Sequence, residues 1–230
     1  MRRPAAIFDV DGTLLERGSA ERHFLARALR ARQVSPLHVL GGSLAALAAW
    51  SAGQSGIYAA SKRYLRGLEC APLEALGVHC VHEDVRPYLR RDLVRELEEH
   101  RARGWAIVLL TGTLDFLGME IARLVGADHV ASARLERRDG RFTGRVLPPY
   151  PHGAGKVEAL LALAAACELD LASSHAYANH GSDVAHLERV GHPHAVAPDR
   201  RLRRVAGARG WSVHEDARRN ARPRGARPGG

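Results

Sequence analysis

The chain has 230 residues, of which 46% are hydrophobic and 26% charged, so it can bury a full core and has the composition of an ordinary globular protein. Its three cysteines lack C-x-x-C spacing, which argues against a disulfide framework or zinc knuckle and favours a reduced, cytoplasmic protein. The longest nearly apolar run, residues 37–50, is shorter than the ~20 residues a membrane-spanning helix needs, and we expect neither a transmembrane segment nor a signal peptide.

Positive charge is spread unevenly along the chain. The formal net charge is +9, and residues 217–230 alone contain five arginines and no acid. Residues 216–230 are rich in Arg, Pro and Gly and are predicted to be disordered. Because no recognised nucleic-acid module precedes them, we expect no specific nucleic-acid partner.

Lysine is rare, since all but two of the 34 basic residues are arginine. Lys62 is predicted to lie on a helix surface without a special role. Lys156 follows the sequence His-Gly-Ala-Gly and enters a helix, where a compact ammonium group suits a functional site better than a generic surface position does.

The predicted elements alternate between strands and helices. A buried strand at residues 5–9 is followed by a segment with helical periodicity alone, and strands and helices alternate from there to the C-terminal region. This pattern predicts a parallel sheet covered by helices on both faces. In chain order we expect helices at 20–32, 36–52, 55–68 and 85–103, a strand at 105–110, a helix at 114–125, a strand at 129–133, a hairpin turn at Asp139-Gly140, a helix at 155–167, a strand at 175–179, a helix at 184–190, a strand at 194–197 and a helix at 200–208.

The helical segment interrupts the alternation immediately after the first strand. It would sit over the carboxyl ends of the strands, where ligands bind in open α/β sheets, and so be placed as a lid. We therefore predict an α/β core formed by residues 1–14 and 76–215 and a cap segment at residues 15–75.

Polar residues follow the predicted strands or begin the next helix at four places. Two carboxylates two residues apart after a buried strand need a cation or a reacting group to explain them, because like charges disfavour each other's ionised form. Together the four places can assemble a phosphoryl-transfer site with a nucleophilic carboxylate, a general acid, Mg²⁺ and a lysine that neutralises charge. The residues are Asp9 and Asp11, Thr111 and Gly112, Lys156, and Asn179 and Asp183.

Four sequence stretches resemble motifs of the haloacid dehalogenase (HAD) superfamily of phosphatases. They are FDVDGTLL, LLTGT, the helix entry at Lys156, and the long block that begins YANHGSDVAHLERVGHPHAVAPD. The likeness is to the phosphoserine phosphatase-like subfamily IB and covers residues 5–211. It implies a Rossmann-like, HAD-like parallel sheet core with an inserted all-helical C1 cap.

The resemblance also implies a role for each matching residue. Asp9 would be the nucleophile and Asp11 the general acid and base. Thr111, Gly112 and Lys156 would hold the phosphoryl group. Mg²⁺ would be bound by Asp9, the Asp11 carbonyl, Asn179 and Asp183.

Two positions depart from the family pattern. The family has an aspartate where this chain has Asn179, so the magnesium site loses one negative charge and should bind the metal more weakly. Phosphoserine phosphatases carry a glutamate for the substrate amino group where this chain has Gly18, which weakens the case for phosphoserine itself.

Three functions remain open at this stage, all on the same fold. The first is a Mg²⁺-dependent phosphatase for a small phosphomonoester, acting as a monomer or homodimer. The second is a catalytically weakened module that binds a phosphoryl ligand, and the third is a phosphotransferase to an acceptor other than water.

Two further features have competing interpretations. His175, His180, His192 and His194 could hold zinc, although positions at a sheet edge or on the surface explain them better. The apolar stretch 36–52, with Trp50, Tyr58 and Tyr64, could line a pocket for a lipid or aromatic phosphate, although packing between helices or a dimer face explains it better.

Overall fold

In the computed structural model, which describes residues 2–50 and 53–215, a parallel sheet carries helices on both faces, so the predicted α/β class is confirmed. The predicted disordered segment at 216–230 lies outside the described residues. The strands are β1 (Arg3–Phe8), β2 (Ala106–Leu114), β3 (His129–Ala133), β4 (Leu135–Arg138), β5 (Arg141–Val146), β6 (Leu169–Ala178), β7 (His192–Val196) and β8 (Ser212–His214). The helices are α1 (Ala20–Arg30), α2 (Pro36–Ala48), α3 (Gly53–Ser61), α4 (Cys70–Cys80), α5 (Arg91–Ala102), α6 (Asp115–Val125), α7 (Gly155–Ala166), α8 (Val184–Leu187) and α9 (Arg200–Arg209).

The sheet has the strand order β3-β2-β1-β6-β7-β8, with all neighbouring strands parallel. β1 is central and its apolar residues are fully buried because both faces of the sheet are covered. Phe8 aligns with Leu109 of β2 and with Tyr177 of β6. The residues that follow these three strands therefore emerge at the same edge of the sheet.

A second, two-stranded sheet pairs β4 with β5 in antiparallel orientation. Asp139 and Gly140 connect the two strands with φ angles of 49° and 71°. Two consecutive positive φ angles are the signature of the tight hairpin turn that this dipeptide predicts, so the prediction is confirmed.

The chain between β1 and α5 is largely helical, but α4 was not among the predicted helices, and the predicted helices end earlier than expected. The predicted helix at 36–52 ends at Ala48, and the predicted helix at 55–68 becomes α3 followed by a 3₁₀ segment, Lys62–Leu65. The boundary placed between residues 75 and 76 falls inside α4, which runs without a break because Pro72 lies in its first turn, where proline is tolerated. Among the described residues, no helix is both long enough and apolar enough to cross a membrane.

The single helix predicted at 85–103 is wrong in its first part. The chain instead forms a π-helical turn (Val81–Val85) and a 3₁₀ turn (Arg86–Tyr88), and α5 begins at Arg91. Pro87 lacks an N–H group for a helical hydrogen bond. Leu89 is extended and pairs with Leu15, and the Arg90 N–H donates to the Leu14 carbonyl over 2.8 Å, so tertiary pairing replaces the helix here.

Aromatic rings and imidazoles cover one face of the sheet behind β1. Tyr177 stacks on Phe8 with ring centroids 4.5 Å apart and on His194 at 4.4 Å. His194 joins a chain of imidazoles, since its Nε2 lies 2.9 Å from His175 Nδ1 and its Nδ1 lies 3.0 Å from His214 Nε2. Burial, and after it the neighbouring imidazoles, together lower the pKa of His194 to about 3. The cluster therefore folds with a neutral His194 against the strand that leads to Asp9.

This depressed pKa predicts a specific loss of stability in acid. The folded pKa of His194 lies below the unfolded value, so neutral His194 stabilises the fold above about pH 6.5, and this contribution is lost as the pH falls toward about 3. Wild type should lose unfolding free energy as the pH falls from 7 to 4. We expect this loss to be smaller by about 2–3 kcal/mol in His194→Gln, as measured by urea denaturation at each pH. His79→Gln, on a side chain that is 68% exposed, is the control and should follow wild type. Parallel pH curves for His194→Gln and wild type would contradict the assignment.

Candidate active site

The central strand ends in an acidic turn at the shared edge of the sheet. The Asp9 N–H donates to the Tyr177 carbonyl over 2.9 Å, which extends the pairing of β1 with β6 by one residue. The Asp9 residue is only 5% exposed. The sheet therefore fixes the backbone that carries this carboxylate and shields the side chain from water.

Gly12 allows the turn to pass directly against Asn179. Its φ is +82°, and a Cβ atom on this residue would lie 2.2 Å from the Asn179 Nδ2. The glycine is therefore needed for the left-handed backbone and for the close approach. This contact brings the segment after β6 to the segment after β1.

Lys156 joins two carboxylates from distant parts of the chain. Its Nζ donates to Asp9 Oδ1 over 2.6 Å and lies 2.9 Å from Asp183 Oδ1. All three residues are buried, with relative exposures of 5% or less. The structure therefore brings together the nucleophile candidate, the lysine and one metal-ligand candidate predicted from sequence.

The charges of this cluster shift one another's pKa. Burial by itself would lower the pKa of Lys156, but Asp9 and Asp183 together hold it above its usual value, so the ammonium stays charged. Burial raises the pKa of Asp9, as does Asp183, while Lys156 acts in the opposite direction. Because two carboxylates, Asp9 and Asp183, meet one ammonium, the cluster favours the binding of a further cation.

Asp11 lies beside this cluster and has two donors of its own. Its Oδ1 accepts from the Ala20 N–H over 2.8 Å, and its Oδ2 accepts from the Thr113 hydroxyl over 2.9 Å. Burial raises the pKa of Asp11 to about 6, and the Asp9 charge adds to the increase. A carboxyl group with such a pKa can both give and take a proton near neutral pH.

Thr111 and Gly112 extend β2 at the same edge of the sheet. The buried Thr111 hydroxyl accepts from the Thr113 N–H over 3.1 Å, and Thr113 in turn reaches Asp11. The Gly112 carbonyl accepts a hydrogen bond from the Tyr58 hydroxyl over 2.5 Å. The two residues are thus linked to the acidic turn through Thr113 and to the cap segment through Tyr58.

Tyr58 links the cap segment to the sheet edge. Besides its bond to Gly112, its ring stacks on His152 with centroids 4.9 Å apart and an interplanar angle of 5°. His152 lies four residues before Lys156. Tyr58 therefore connects the cap segment to two of the chain segments that carry candidate site residues.

Two threonines of the site were missed in the sequence analysis. The Thr13 hydroxyl donates to Asp9 Oδ2 over 2.8 Å and lies 3.4 Å from Asn179 Oδ1. Thr113 holds Asp11, as described above. Thr13 directly follows the turn at Gly12, and Thr113 is the second threonine of the Thr-Gly-Thr stretch. Their positions within the two quoted motifs are the signal that could have identified them.

Lys62 is not a helix-surface residue as predicted. It is 5% exposed, its Nζ is paired with the Glu21 carboxylate, and it lies 4.8 Å from the centre of the Tyr58 ring. The local sequence could not show this because the partner acid is 41 residues away. Both lysines of the chain are therefore buried and paired with acids.

The four histidines considered for zinc do not form a metal site. His175 and His194 hydrogen-bond to each other, whereas the His180 side chain is 63% exposed and lies near Asp199. Within the described residues, no three His, Cys, Asp or Glu side chains are grouped to hold a metal. His175 lies inside β6 and His194 inside β7, which corrects their expected places at strand starts or edges.

Mg²⁺ fits the chemistry of the oxygen donors at the acidic turn. The Asp9 and Asp183 carboxylates and the Asn179 side-chain oxygen are the hard ligands that this ion prefers, and a backbone carbonyl can complete such a set. Lys156 Nζ bridges Asp9 and Asp183 in this structure and supplies part of the positive charge there. Two carboxylates meet this single ammonium, so a further cation would be electrostatically favoured beside them.

Comparisons with known proteins find a family profile and relatives that resemble this chain. The sequence profile of the haloacid dehalogenase-like hydrolases matches residues 6–188. The phosphoserine phosphatase SerB1 of Mycobacterium tuberculosis H37Rv is 36% identical over 219 residues, which cover 92% of this chain and 70% of that protein. The inhibition of morphological differentiation protein of Streptomyces azureus is 37% identical over 149 residues, and the match spans about half of its length (53%) and 64% of this chain.

A solved structure also resembles the chain over nearly its whole length. The protein with unknown function from Bordetella pertussis Tohama I has a TM-score of 0.79 and 30% sequence identity, with 94% of this chain and 99% of that chain covered. The likeness extends the agreement from sequence to three-dimensional fold.

The contact between Gly12 and Asn179 predicts a cost beyond backbone strain. We expect Gly12→Ala to lower the unfolding free energy by about 1–2 kcal/mol for the left-handed backbone and by about 1–3 kcal/mol more for the collision with Asn179. Urea denaturation in EDTA measures both effects.

Gly140→Ala provides the matched control. Gly140 has a φ of +71°, and a Cβ atom there would meet nothing within 4 Å, so this variant reports the backbone cost alone. Equal losses for the two variants would show that the Asn179 contact contributes nothing.

Proposed function

The chain belongs to the haloacid dehalogenase-like hydrolase family, and we propose that it is a Mg²⁺-dependent phosphatase that hydrolyses a small phosphomonoester through an aspartyl-phosphate on Asp9. The observation that carries this proposal is the buried ion cluster in which Lys156 contacts both Asp9 and Asp183. The similarity to a relative named phosphoserine phosphatase supports it.

The first half of the reaction uses Asp9 as nucleophile and Asp11 as acid. A carboxylate oxygen of Asp9 bonds to phosphorus, the ester P–O bond breaks, and Asp11 gives its proton to the leaving oxygen. The raised pKa of Asp11, about 6, keeps a useful fraction protonated near neutral pH. Thr13 orients the nucleophile by donating to its Oδ2.

The second half restores the free enzyme. Asp11, now ionised, takes a proton from a water molecule whose oxygen bonds to phosphorus, and the bond between Asp9 and phosphorus breaks to release inorganic phosphate. Lys156 keeps its charge throughout because two carboxylates hold its pKa high. Its ammonium stabilises the negative charge of the phosphoryl oxygens in both halves.

Asp9, the Asp11 carbonyl, Asn179 and Asp183 would hold Mg²⁺. The bound ion would supply further positive charge for the phosphoryl oxygens and orient them. Thr111 and the Gly112 N–H, which extend β2 beside the acidic turn, would bind phosphoryl oxygens by hydrogen bonds. These assignments rest on the matching motifs and on the shared sheet edge.

The substrate is proposed to be a small phosphomonoester that lacks a strict requirement for an amino group. Gly18 carries no charged side chain, and Glu21, three residues further on, is already paired with the buried Lys62. The cap segment would exclude water while the covalent intermediate exists. A cytoplasmic location and a monomer or homodimer remain predictions.

Removal of the nucleophile tests the mechanism directly. We expect Asp9→Asn to reduce the hydrolysis of p-nitrophenyl phosphate with Mg²⁺ by about 10³-fold or more, because an amide is a very poor nucleophile toward phosphorus. Single turnover with a ³²P-labelled phosphomonoester should leave a hydroxylamine-sensitive label on wild type and none on the variant. Asp139→Asn, in the exposed hairpin turn, is the matched control and should retain wild-type turnover. Wild-type turnover by Asp9→Asn would refute the mechanism.

Asn179 offers a test of the metal site that increases function. We expect Asn179→Asp, which has nearly the same shape and adds a negative charge, to lower the Mg²⁺ concentration for half-maximal activity by about threefold to tenfold. Isothermal titration with Mg²⁺ and orthovanadate should show the same change in affinity. Arg95→Gln changes the net charge equally at an exposed site on α5 and should have no effect. An unchanged Mg²⁺ dependence in Asn179→Asp would remove residue 179 from the metal site.

A further inference from the structure

Helix α2 of the cap segment exposes a stripe of large apolar side chains. Its four leucines have relative exposures between 55% and 76%, and Trp50, just beyond the helix, is 74% exposed. Scattered exposed leucines are common, but a continuous stripe on one helix marks an interaction surface. The leucines are Leu37, Leu40, Leu44 and Leu47.

The stripe lies opposite the face through which α2 packs. Gly42 is the buried residue of this helix, and a Cβ atom there would be 3.0 Å from the backbone N and the Cβ of Tyr64. At about 100° per residue, the four leucines lie roughly 140–220° around the helix from Gly42. The helix therefore turns a glycine inward and its leucines outward, the reverse of an ordinary amphipathic helix.

This reversed arrangement is costly unless the stripe is covered. Burial of a leucine side chain is among the larger stabilising contributions that one residue makes, and α2 lacks most of this contribution at four positions. The sequence favours packing between helices or a dimer face for this stretch. Packing between helices explains Tyr58 and Tyr64, which are buried, but not the exposed leucines.

The charged residues that flank the stripe in the sequence have one sign. Between Glu21 and Glu69 the chain has seven basic residues and no acidic one, and residues 34–61 carry no charge at all. Arg27 is paired with Asp84, and Lys62 with Glu21. Among the described residues, the other five basic side chains of this segment are exposed and form no ion pair; they are Arg22, Arg30, Arg32, Arg63 and Arg66.

Basic side chains continue from the cap segment onto the β4–β5 hairpin. A groove of about 870 Å³ lies between them, and five of its lining residues are arginines, against Glu136 and Asp139. The 3₁₀ segment Lys62–Leu65 packs against both α2 and β5, so the groove is separated from the leucine helix by one element. The arginines are Arg63, Arg66, Arg138, Arg141 and Arg145.

We propose that α2 docks this protein on the surface of an anionic phospholipid bilayer. The leucine stripe enters the boundary between headgroups and acyl chains, the exposed arginines contact lipid phosphates, and Trp50 lies at the interface, where tryptophan is favoured. A second copy of the chain is a poorer partner, because the basic residues that flank α2 in the sequence have no acidic residue between Glu21 and Glu69 of a second copy to pair with.

Vesicle cosedimentation with the full chain tests the proposal. Wild type should bind vesicles of 70% phosphatidylcholine and 30% phosphatidylglycerol and bind pure phosphatidylcholine vesicles at least tenfold more weakly, with binding reduced further in high salt. Leu40→Ser/Leu44→Ser should reduce the partition coefficient by about tenfold or more. Arg30→Gln/Arg63→Gln should reduce binding to the anionic vesicles by about tenfold and leave the weak binding to neutral vesicles unchanged.

Matched controls use exposed side chains elsewhere on the molecule. Met119→Ser/Leu161→Ser removes apolar side chains that are 47% and 46% exposed, and Arg91→Gln/Arg95→Gln removes two arginines of α5; both should bind vesicles as wild type does. The Arg-rich segment 216–230 is present in every variant, so equal binding by Leu40→Ser/Leu44→Ser and wild type would assign the effect to that segment and overturn the proposal.

Two further measurements separate the alternatives. Analytical ultracentrifugation that shows a wild-type dimer, a monomeric Leu40→Ser/Leu44→Ser variant and no vesicle binding would replace the bilayer with a second copy of the chain. The proposal does not depend on catalysis, since Asp9→Asn should bind vesicles as wild type does. Loss of phosphatase activity with intact vesicle binding would therefore count against the proposed function alone.

Discussion

The buried ammonium of Lys156 is the interaction on which the site depends. It contacts carboxylates that stand at the end of β1 and in the turn after β6, from a position in the first turn of α7. Because a buried carboxylate without a counter-charge is strongly destabilising, the three segments hold one another in place only as a set. The ion pairs of Lys156 thus have two effects: they place positive charge where a phosphoryl group would bind, and they hold these segments together at the carboxyl edge of the sheet.

Much of this arrangement could be predicted from the sequence. Parallel strands with hydrophobic interiors bring their carboxyl ends to one edge, so polar residues that follow different strands must approach one another. The meeting of Asp9 with Lys156 and Asp183 follows from that rule. The same rule did not identify Thr13 and Thr113, because a threonine after a turn has the same local pattern as a helix cap. Only the coordinates show which carboxylate each hydroxyl contacts.

The sequence patterns were least informative where a distant partner decides the local structure. Lys62 is buried because Glu21 lies across from it, and the predicted helix at 85–103 begins late because Leu89 pairs with Leu15. The apolar character of α2 was visible, but its periodicity could not tell which side faces the protein. The close fit of Gly42 against Tyr64 determines that orientation and leaves the leucines outside.

The contacts of Tyr58 have a consequence for how firmly residues 15–75 are held at the sheet edge. One neutral hydrogen bond and one aromatic stack together are worth about 2 kcal/mol in water. The same segment is also attached to the β4–β5 hairpin by main-chain hydrogen bonds, from the Gly67 N–H to the Phe142 carbonyl and from the Cys70 N–H to the Gly140 carbonyl. Breaking the Tyr58 contacts alone would therefore release the Gly112 end of the segment and leave its attachment to the hairpin intact, so the hairpin would act as the fixed end of a hinge.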